Sequence, residues 1–311
     1  MKKRGLEFGF NWLFAILVGA VILFLAIFIA TKFVDTNRKV SDTFVSAELS
    51  NLLNPIETNL EDSKYVKIRF VQETRVFNDC FENGNFGRQE ISTASKIGVG
   101  DEWGTQSNPK SSFNKYVFSE NFEEGKEMNV IVKPFEMPFK VGDAIFMYSK
   151  DYCFINPPRD IEEEIEDLSA GGNIGINISS RVSSCPDESV KVCFDLIGCD
   201  INVNSNAKII SKQGSDLHYT DSLIYGAIFS EPEIYECQIK RLMKRASELS
   251  YVYAEKAKFL EDSGCSNSLE QDLRSFASAV LIESSNELQR IEGNSDILKD
   301  KNDKITKCGV F

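Results

Sequence analysis

The chain opens with a short basic segment, followed by an unbroken apolar run from Trp12 to Ala30. About 20 apolar residues in a row can form a helix that crosses the roughly 30 Å hydrocarbon core of a membrane. The pattern predicts a basic leader over residues 1–11 and a transmembrane helix over residues 12–34. Since basic residues precede the run, the amino terminus is expected in the cytoplasm. We therefore predict a single-pass protein of the cell membrane, in contact with the lipid bilayer, whose bulk is extracytoplasmic.

Apolar positions at helical spacing continue after this run. Val40, Phe44 and Ala47 recur at steps of three and four, and neither proline nor glycine interrupts the pattern before Pro55. Such spacing is typical of an amphipathic helix, and the residue before a proline avoids the helical conformation. The sequence predicts a stalk helix over residues 35–55.

Residues 56–229 contain several short runs that are rich in apolar residues or alternate apolar and polar positions, separated by turn-forming clusters. These are features of β-strands. The acidic segment 160–168 carries a capping-box pattern and predicts one short helix. Gly171–Gly175 predicts a turn, because it lacks the glycine fingerprint of a phosphate-binding loop. The predicted strands cover residues 65–70, 115–118, 128–132, 144–148, 174–178, 189–193, 199–203 and 207–211.

Residues 230–311 return to a helical period. Apolar residues at steps of three and four predict one helix from Ser230 to Gly264 and a second from Ser268 to Gly293. Two long helices joined by a short loop pack antiparallel. The predicted fold class is therefore α+β: an N-terminal transmembrane and stalk helix, a β-rich middle, and a C-terminal antiparallel helical hairpin with a tail.

The formal net charge of the chain is −12, although its leader is basic. Nucleic-acid binding needs a basic surface, so the charge argues against it. The acidic run in segment 160–168 allows a calcium-site interpretation, but a solvated helix face explains it more simply. We predict no metal and no cofactor.

The cysteine count is even, at eight. An even count in an exterior protein favours disulfides, whereas structural zinc normally uses closely spaced ligand pairs, and no CxxC pair occurs. A hairpin of strands 189–193 and 199–203 would bring Cys193 and Cys199 together. Cys237 and Cys265 lie at opposite ends of a predicted helix, and Cys308 could reach either of them. The disulfide candidates are Cys80, Cys153, Cys185, Cys193, Cys199, Cys237, Cys265 and Cys308.

The leader Lys2-Lys3-Arg4 is followed directly by Gly5 and Leu6. This sequence resembles the cleavage site of type IV prepilins, in which a basic leader ending in glycine is removed and the apolar helix is kept as the filament core. Bacterial pilins have a glutamate at the fifth mature position, which here is Phe10, so the resemblance favours the archaeal version. It implies processing between Gly5 and Leu6, and assembly with itself or other pilin-like subunits through the apolar helix. A plain signal anchor would have nearly the same sequence.

Catalytic patterns are weak. The single histidine, His218, has Asp216 and Asp221 nearby in sequence and could act as a general base, but a surface or strand histidine is the simpler interpretation. Neither a nucleophile elbow nor a zinc-protease motif occurs. Asn177 begins a glycosylation sequon. We predict no enzymatic activity and no catalytic residue. The leading hypothesis is a disulfide-stabilised, pilin-like surface subunit. The alternative is a single-pass anchored binding ectodomain without catalytic activity. The least favoured hypothesis is an exterior hydrolase that uses His218.

Overall fold

The computed structural model describes residues 12, 14–29, 32, 64–96, 102–265, 267–305 and 307–311. The predicted leader over residues 1–11, with Gly5 and Leu6, and the predicted stalk over residues 35–55 lie outside these residues.

The prediction of a transmembrane helix over residues 12–34 is wrong. Residues 14–29 form a helix, α1, but within the described ranges no helix has both the length and the apolar character needed to span a bilayer. The transmembrane element of the predicted fold class is corrected accordingly, and no described helix supports the predicted single-pass anchor.

The first half of the remaining chain forms a six-stranded sheet, sheet 1, in the order β3-β2-β1-β5-β6-β4. All neighbours are antiparallel except β4 and β6, which are parallel. The predicted strands 65–70, 115–118, 128–132 and 144–148 are confirmed within it. Its strands are β1 (Lys64–Phe81), β2 (Arg88–Ser95), β3 (Lys110–Ser112), β4 (Tyr116–Phe118), β5 (Phe122–Glu136) and β6 (Lys140–Tyr148).

Sheet 1 curls upon itself. The register of β1 against β5 shifts between Arg69 and Thr74, which is where a long strand can bend. The side-chain amide of Asn78 on β1 then donates a hydrogen bond to the carbonyl of Val117 on β4, at 3.2 Å. These two strands are not neighbours in the sheet order. One apolar cluster accordingly contains Val76 of β1 together with Val117 of β4.

A second six-stranded sheet, sheet 2, has the order β12-β11-β10-β9-β7-β8. From β8 to β10 the neighbours are parallel, whereas β10, β11 and β12 are antiparallel. Helix α2 (Arg159–Ser169) connects β7 to β8, which confirms the predicted helix over residues 160–168. The other strands of the sheet are β7 (Tyr152–Ile155), β8 (Ile176–Ser179), β9 (Val190–Phe194), β10 (Ile201–Asn204), β11 (Ile209–Lys212) and β12 (Ser215–His218).

The predicted hairpin between the strands at 189–193 and 199–203 is wrong, because β9 and β10 run parallel. Asp195 and Gly198 both have a positive φ, 54° and 107°. At Asp195 the chain turns back, and Asp200 accepts a hydrogen bond from the backbone N–H of Lys191 near the start of β9. The second strand therefore starts beside the beginning of the first and runs in the same direction.

The C-terminal helices depart from the predicted hairpin in one respect. Helices α4 (Pro232–Asp262) and α5 (Leu269–Ala279) pack together as predicted. The second predicted helix is broken, since α5 ends at Ala279 and α6 (Leu288–Asp303) begins after a 3₁₀ turn. Within that turn the backbone N–H and hydroxyl of Ser285 bind the carboxylate of Glu236 on α4. This contact fixes a polar turn, and α6 then runs through Gly293 instead of ending there.

The largest apolar cluster joins the two sheets and the helices from α2 onward. It includes Phe146 of sheet 1, Phe194 of sheet 2 and Leu242 of α4, with the short buried helix α3 (Leu223–Phe229) among them. The apolar stripes predicted for α4 and α5 lie in this core. The described residues of the β-rich region and of the C-terminal helices therefore share one interior.

All eight cysteines form disulfides, which excludes the zinc interpretation. The predicted Cys193–Cys199 pair is confirmed. Cys237 and Cys265 are not partners, as expected, and Cys308 pairs with Cys265. The remaining bonds are Cys80–Cys237 and Cys153–Cys185. Four disulfides indicate an extracellular or otherwise oxidising environment.

Candidate functional site

A cleft of about 460 Å³, named here the polar cleft, opens where parallel strands of sheet 2 end. Asp160 lies in the first turn of α2, the helix that follows β7, and Ser205 follows β10 directly. In open sheets with parallel strands, ligands bind beyond the carboxyl ends of those strands. The polar cleft is lined by Lys133, Pro158, Asp160, Ile161, Glu164, Ser205, Lys208, Tyr219, Asp221, Ile224, Tyr225 and Glu292.

Two ion pairs flank the polar cleft, and each joins distant elements. Lys133 of β5 pairs with Glu164 of α2 at 2.6 Å, and Lys208 pairs with Glu292 of α6 at 2.7 Å. The Lys133 ammonium also lies 4.9 Å from the ring centre of Tyr225. These contacts hold the charged groups in place before any ligand arrives, which lowers the entropy lost on binding.

Two tyrosines supply hydroxyl donors. Burial, and then the charges of Asp195 and Asp160, raise the pKa of Tyr219 to about 12. Burial and the nearby Glu164 carboxylate raise the pKa of Tyr225 well above its ordinary value, and its hydroxyl donates a 2.8 Å hydrogen bond to Glu164. Both phenols therefore remain protonated at neutral pH.

Further polar groups of the polar cleft lack partners within the described part of the chain. The Ser205 hydroxyl oxygen is buried without a hydrogen bond. The exposed carboxylates of Asp160 and Asp221 form no ion pair with any described residue. Two lysines face four carboxylates around the cleft, so its surroundings are negative overall.

The backbone is strained around the same cleft. Lys208 and Asp221, which line it, have φ values of 52° and 40°, and Asn156 and Asp195, after β7 and β9, have 56° and 54°. Non-glycine residues in this region cost on the order of 1 kcal/mol or more each, and they cluster at functional sites.

A second cleft, named here the histidine cleft, contains His218 and is about 700 Å³ in volume. The Nδ1 atom of His218 is buried without a hydrogen bond among the described residues. The carboxylates of Glu82 and Glu236 line the same cleft but bind Lys240 and Ser285 instead. A general base is normally oriented by a neighbouring group, and none of the described residues orients this ring.

The other sequence-predicted features have separate positions. Gly171–Gly175 forms the predicted turn before β8, where a Cβ at Gly175 would lie 3.0 Å from Asn129. Glu164 of the acidic helix lines the polar cleft, while Glu163 pairs with Arg159. Asn177 is exposed on β8. Across the described ranges, no group of three or more His, Cys, Asp or Glu side chains is placed to hold a metal ion.

Comparison of the chain with protein-family models, with curated proteins and with solved structures gave no match.

Sequence reasoning missed the polar cleft. Its lysines and tyrosines belong to elements far apart in the chain, and no local motif joins them. The available signal was the position of two polar residues, Ser205 directly after β10 and Asp160 at the start of the helix that follows β7. That signal predicts a shared cleft only once β7 and β10 are known to run in the same direction.

Proposed function

We propose that this protein is an extracytoplasmic binding protein whose polar cleft holds a small polar ligand. The observation that carries the proposal is the position of the cleft, at the carboxyl ends of parallel strands, with two ready-made lysine–glutamate pairs on its walls. The cleft has the size of a small-molecule site, for which roughly 300–1,000 Å³ is usual. The four disulfides support an exterior location.

The chemistry of the walls favours ligands with cationic hydrogen-bond donors. Asp160 and Asp221 offer exposed carboxylates at the rim, and charge-assisted hydrogen bonds to such groups are stronger than neutral ones. Lys133 and Lys208 already have carboxylate partners, so an anionic ligand would have to compete for them. A compact amine therefore fits better than an organic acid.

Calorimetric titration tests this proposal with three defined probes: 1,4-diaminobutane, free lysine and succinate. We expect heat of binding with the two amines and none with succinate. The double substitution Asp160→Asn with Asp221→Asn should weaken amine binding at least tenfold. The matched control is Asp216→Asn with Glu233→Gln in the histidine cleft, which should bind like the wild type. Equal weakening by both variants, or tighter binding of succinate, would contradict the proposal.

A second candidate function, a pilin-like surface subunit, is favoured by a different observation. The side chains of α1 are apolar and exposed, with Ile22, Leu23 and Phe24 at 61%, 63% and 71% of their full accessibility. Contiguous exposed apolar surface usually marks an interaction site. Together with the Gly5-Leu6 leader, it supports assembly with further copies through this helix.

The mature amino terminus tests the pilin-like candidate. Mass spectrometry of the protein from its own host should give a chain beginning at Leu6, and Gly5→Val should abolish that cleavage. A chain beginning at Met1 would refute processing. The titration reports only on ligand binding in the polar cleft, whereas the mature amino terminus reports only on processing of the leader. Either proposed function can therefore be refuted without affecting the other.

A further inference from the structure

Strand β8 is an open edge of sheet 2. Among the described residues it pairs with β7 and with no other strand. Exposed edges offer unpaired backbone groups to other chains, and proteins protect them in specific ways. Strand β8 is short, at four residues, but it includes no charged residue or proline, so two common forms of protection are missing from the strand itself.

Asn177 lies at this edge, on the face of the sheet that points away from the apolar core. Its parallel partner is Cys153, whereas the next position, Ile178, is paired with Phe154 of the core. The face with Cys153 carries the Cys153–Cys185 bond, and Cys193 lies on it as well. Asn177 is exposed, and its side chain forms no hydrogen bond to a described residue.

Asn177 and Ser179 share one face of β8, since side chains two apart in a strand point the same way. The triplet Asn177-Ile178-Ser179 is the only glycosylation sequon in the sequence. The Ser179 hydroxyl donates to the carbonyl of Arg181 at 2.9 Å and accepts from its N–H at 3.2 Å. The sequon is thus extended, accessible and at a strand edge, in a protein whose disulfides indicate an oxidising exterior.

We infer that Asn177 carries an N-linked glycan that covers the open edge of sheet 2. The donor class is an oligosaccharide attached to a polyprenyl pyrophosphate. The amide nitrogen of Asn177 bonds to C1 of the first sugar, the bond from C1 to the pyrophosphate oxygen breaks, and the nitrogen loses one proton as the lipid pyrophosphate leaves. The bulky, hydrated sugar then stands beside β8 and prevents another strand from pairing there.

Peptide mass spectrometry of the full chain purified from its own host tests the modification. We expect a glycan mass on the peptide containing Asn177, its loss in Asn177→Gln, and its retention in the control Ser179→Thr, which keeps the sequon. Intact disulfides and an unchanged melting temperature in Asn177→Gln would show that the loss does not come from misfolding. An unmodified Asn177 peptide in the wild type would overturn the inference.

Light scattering tests the protection of the edge. At equal concentration, Asn177→Gln should self-associate at least several-fold more than the glycosylated wild type, and Ser179→Thr should not. If the glycan is present and the Asn177→Gln protein associates no more than the wild type, the protective role is wrong.

Discussion

The buried carboxylate of Glu123 on β5 accepts hydrogen bonds from both the backbone N–H and the hydroxyl of Ser149, at 3.0 and 2.6 Å. Ser149 begins the turn that leads from sheet 1 into sheet 2, so a single acid fixes the junction of the two sheets. Glu123 is 1% exposed.

Glu123 should make the free energy of unfolding depend on pH near neutrality. Burial, despite the bonds from Ser149, raises its pKa from 4.5 to about 7. Between these values the folded protein binds more protons than the unfolded chain, so the contribution of Glu123 to stability is fully present below about pH 4.5 and is lost as the pH rises through 7. Urea unfolding at pH 5 and pH 8 should differ by up to about 3 kcal/mol from this group.

Glu123→Gln should remove most of that difference, because the amide does not ionise. The neighbouring substitution Glu124→Gln is the control, since the Glu124 carboxylate is partly exposed and pairs with Arg75. If Glu123→Gln keeps the wild-type slope between pH 5 and pH 8, the dependence arises elsewhere.

Arg241 of α4 is expected to be essential for stability. It is fully buried and donates hydrogen bonds to the carbonyls of Phe86, Lys115 and Phe113. Arg241→Met would remove these three hydrogen bonds, at about 1–3 kcal/mol for a buried acceptor that loses its donor. Chemical denaturation should show a loss of at least 3 kcal/mol, against about 0.5 kcal/mol or less for the surface control Arg290→Met. Similar losses in the two variants would contradict this role.

The four disulfides should contribute unequally to the free energy of unfolding. Cys80–Cys237 spans 157 residues, whereas Cys193–Cys199 spans 6. On a chain-entropy argument, closing these loops stabilises the fold by roughly 5 and roughly 2 kcal/mol respectively. Paired serine substitutions, compared by urea unfolding, should show the larger loss for the first bond. An equal or reversed order would mean that native packing, not loop length, decides the effect.

Replacing each of two glycines by alanine should change the stability of the fold in opposite directions. A Cβ at Gly226 of α3 would lie 2.7 Å from the Phe118 ring, while a Cβ at Gly293 of α6 meets nothing within 4 Å. Overpacking typically costs about 1–3 kcal/mol, and alanine is favoured over glycine inside a helix by about 1 kcal/mol. Thermal unfolding should therefore show a lower melting temperature for Gly226→Ala and a higher one for Gly293→Ala. If the melting temperatures of both variants shifted in the same direction, the space described around one of the two glycines would be wrong.

Local patterns predicted the elements whose causes are local. The strand at 128–132 and the helix at 160–168 were found because residue type and spacing alone determine which face is buried. The direction of β10 was not predicted, because it depends on the positive φ of Asp195 and on a contact between Asp200 and Lys191. The break after Ala279 likewise depends on Glu236, a residue of another helix.

The candidate site was even less accessible from sequence. Lys133 of β5 meets Glu164 of α2, and Lys208 meets Glu292 of the last helix. Such pairs result from tertiary packing and produce no periodic pattern in the amino-acid sequence. The Cys193–Cys199 bond was predicted correctly for a partly wrong reason, because proximity in the chain brings the two cysteines together whether the strands are parallel or antiparallel.

The Cys80–Cys237 bond encloses the Cys153–Cys185 and Cys193–Cys199 bonds along the chain. During synthesis and export the amino-terminal cysteine emerges first and its partner emerges only after four others. Oxidation in order of appearance would join Cys80 to Cys153 and trap a non-native chain. A cell that makes this protein must therefore delay the oxidation of Cys80 or reshuffle its first bond, and yield in a foreign host should depend on thiol-exchange catalysts in the receiving compartment.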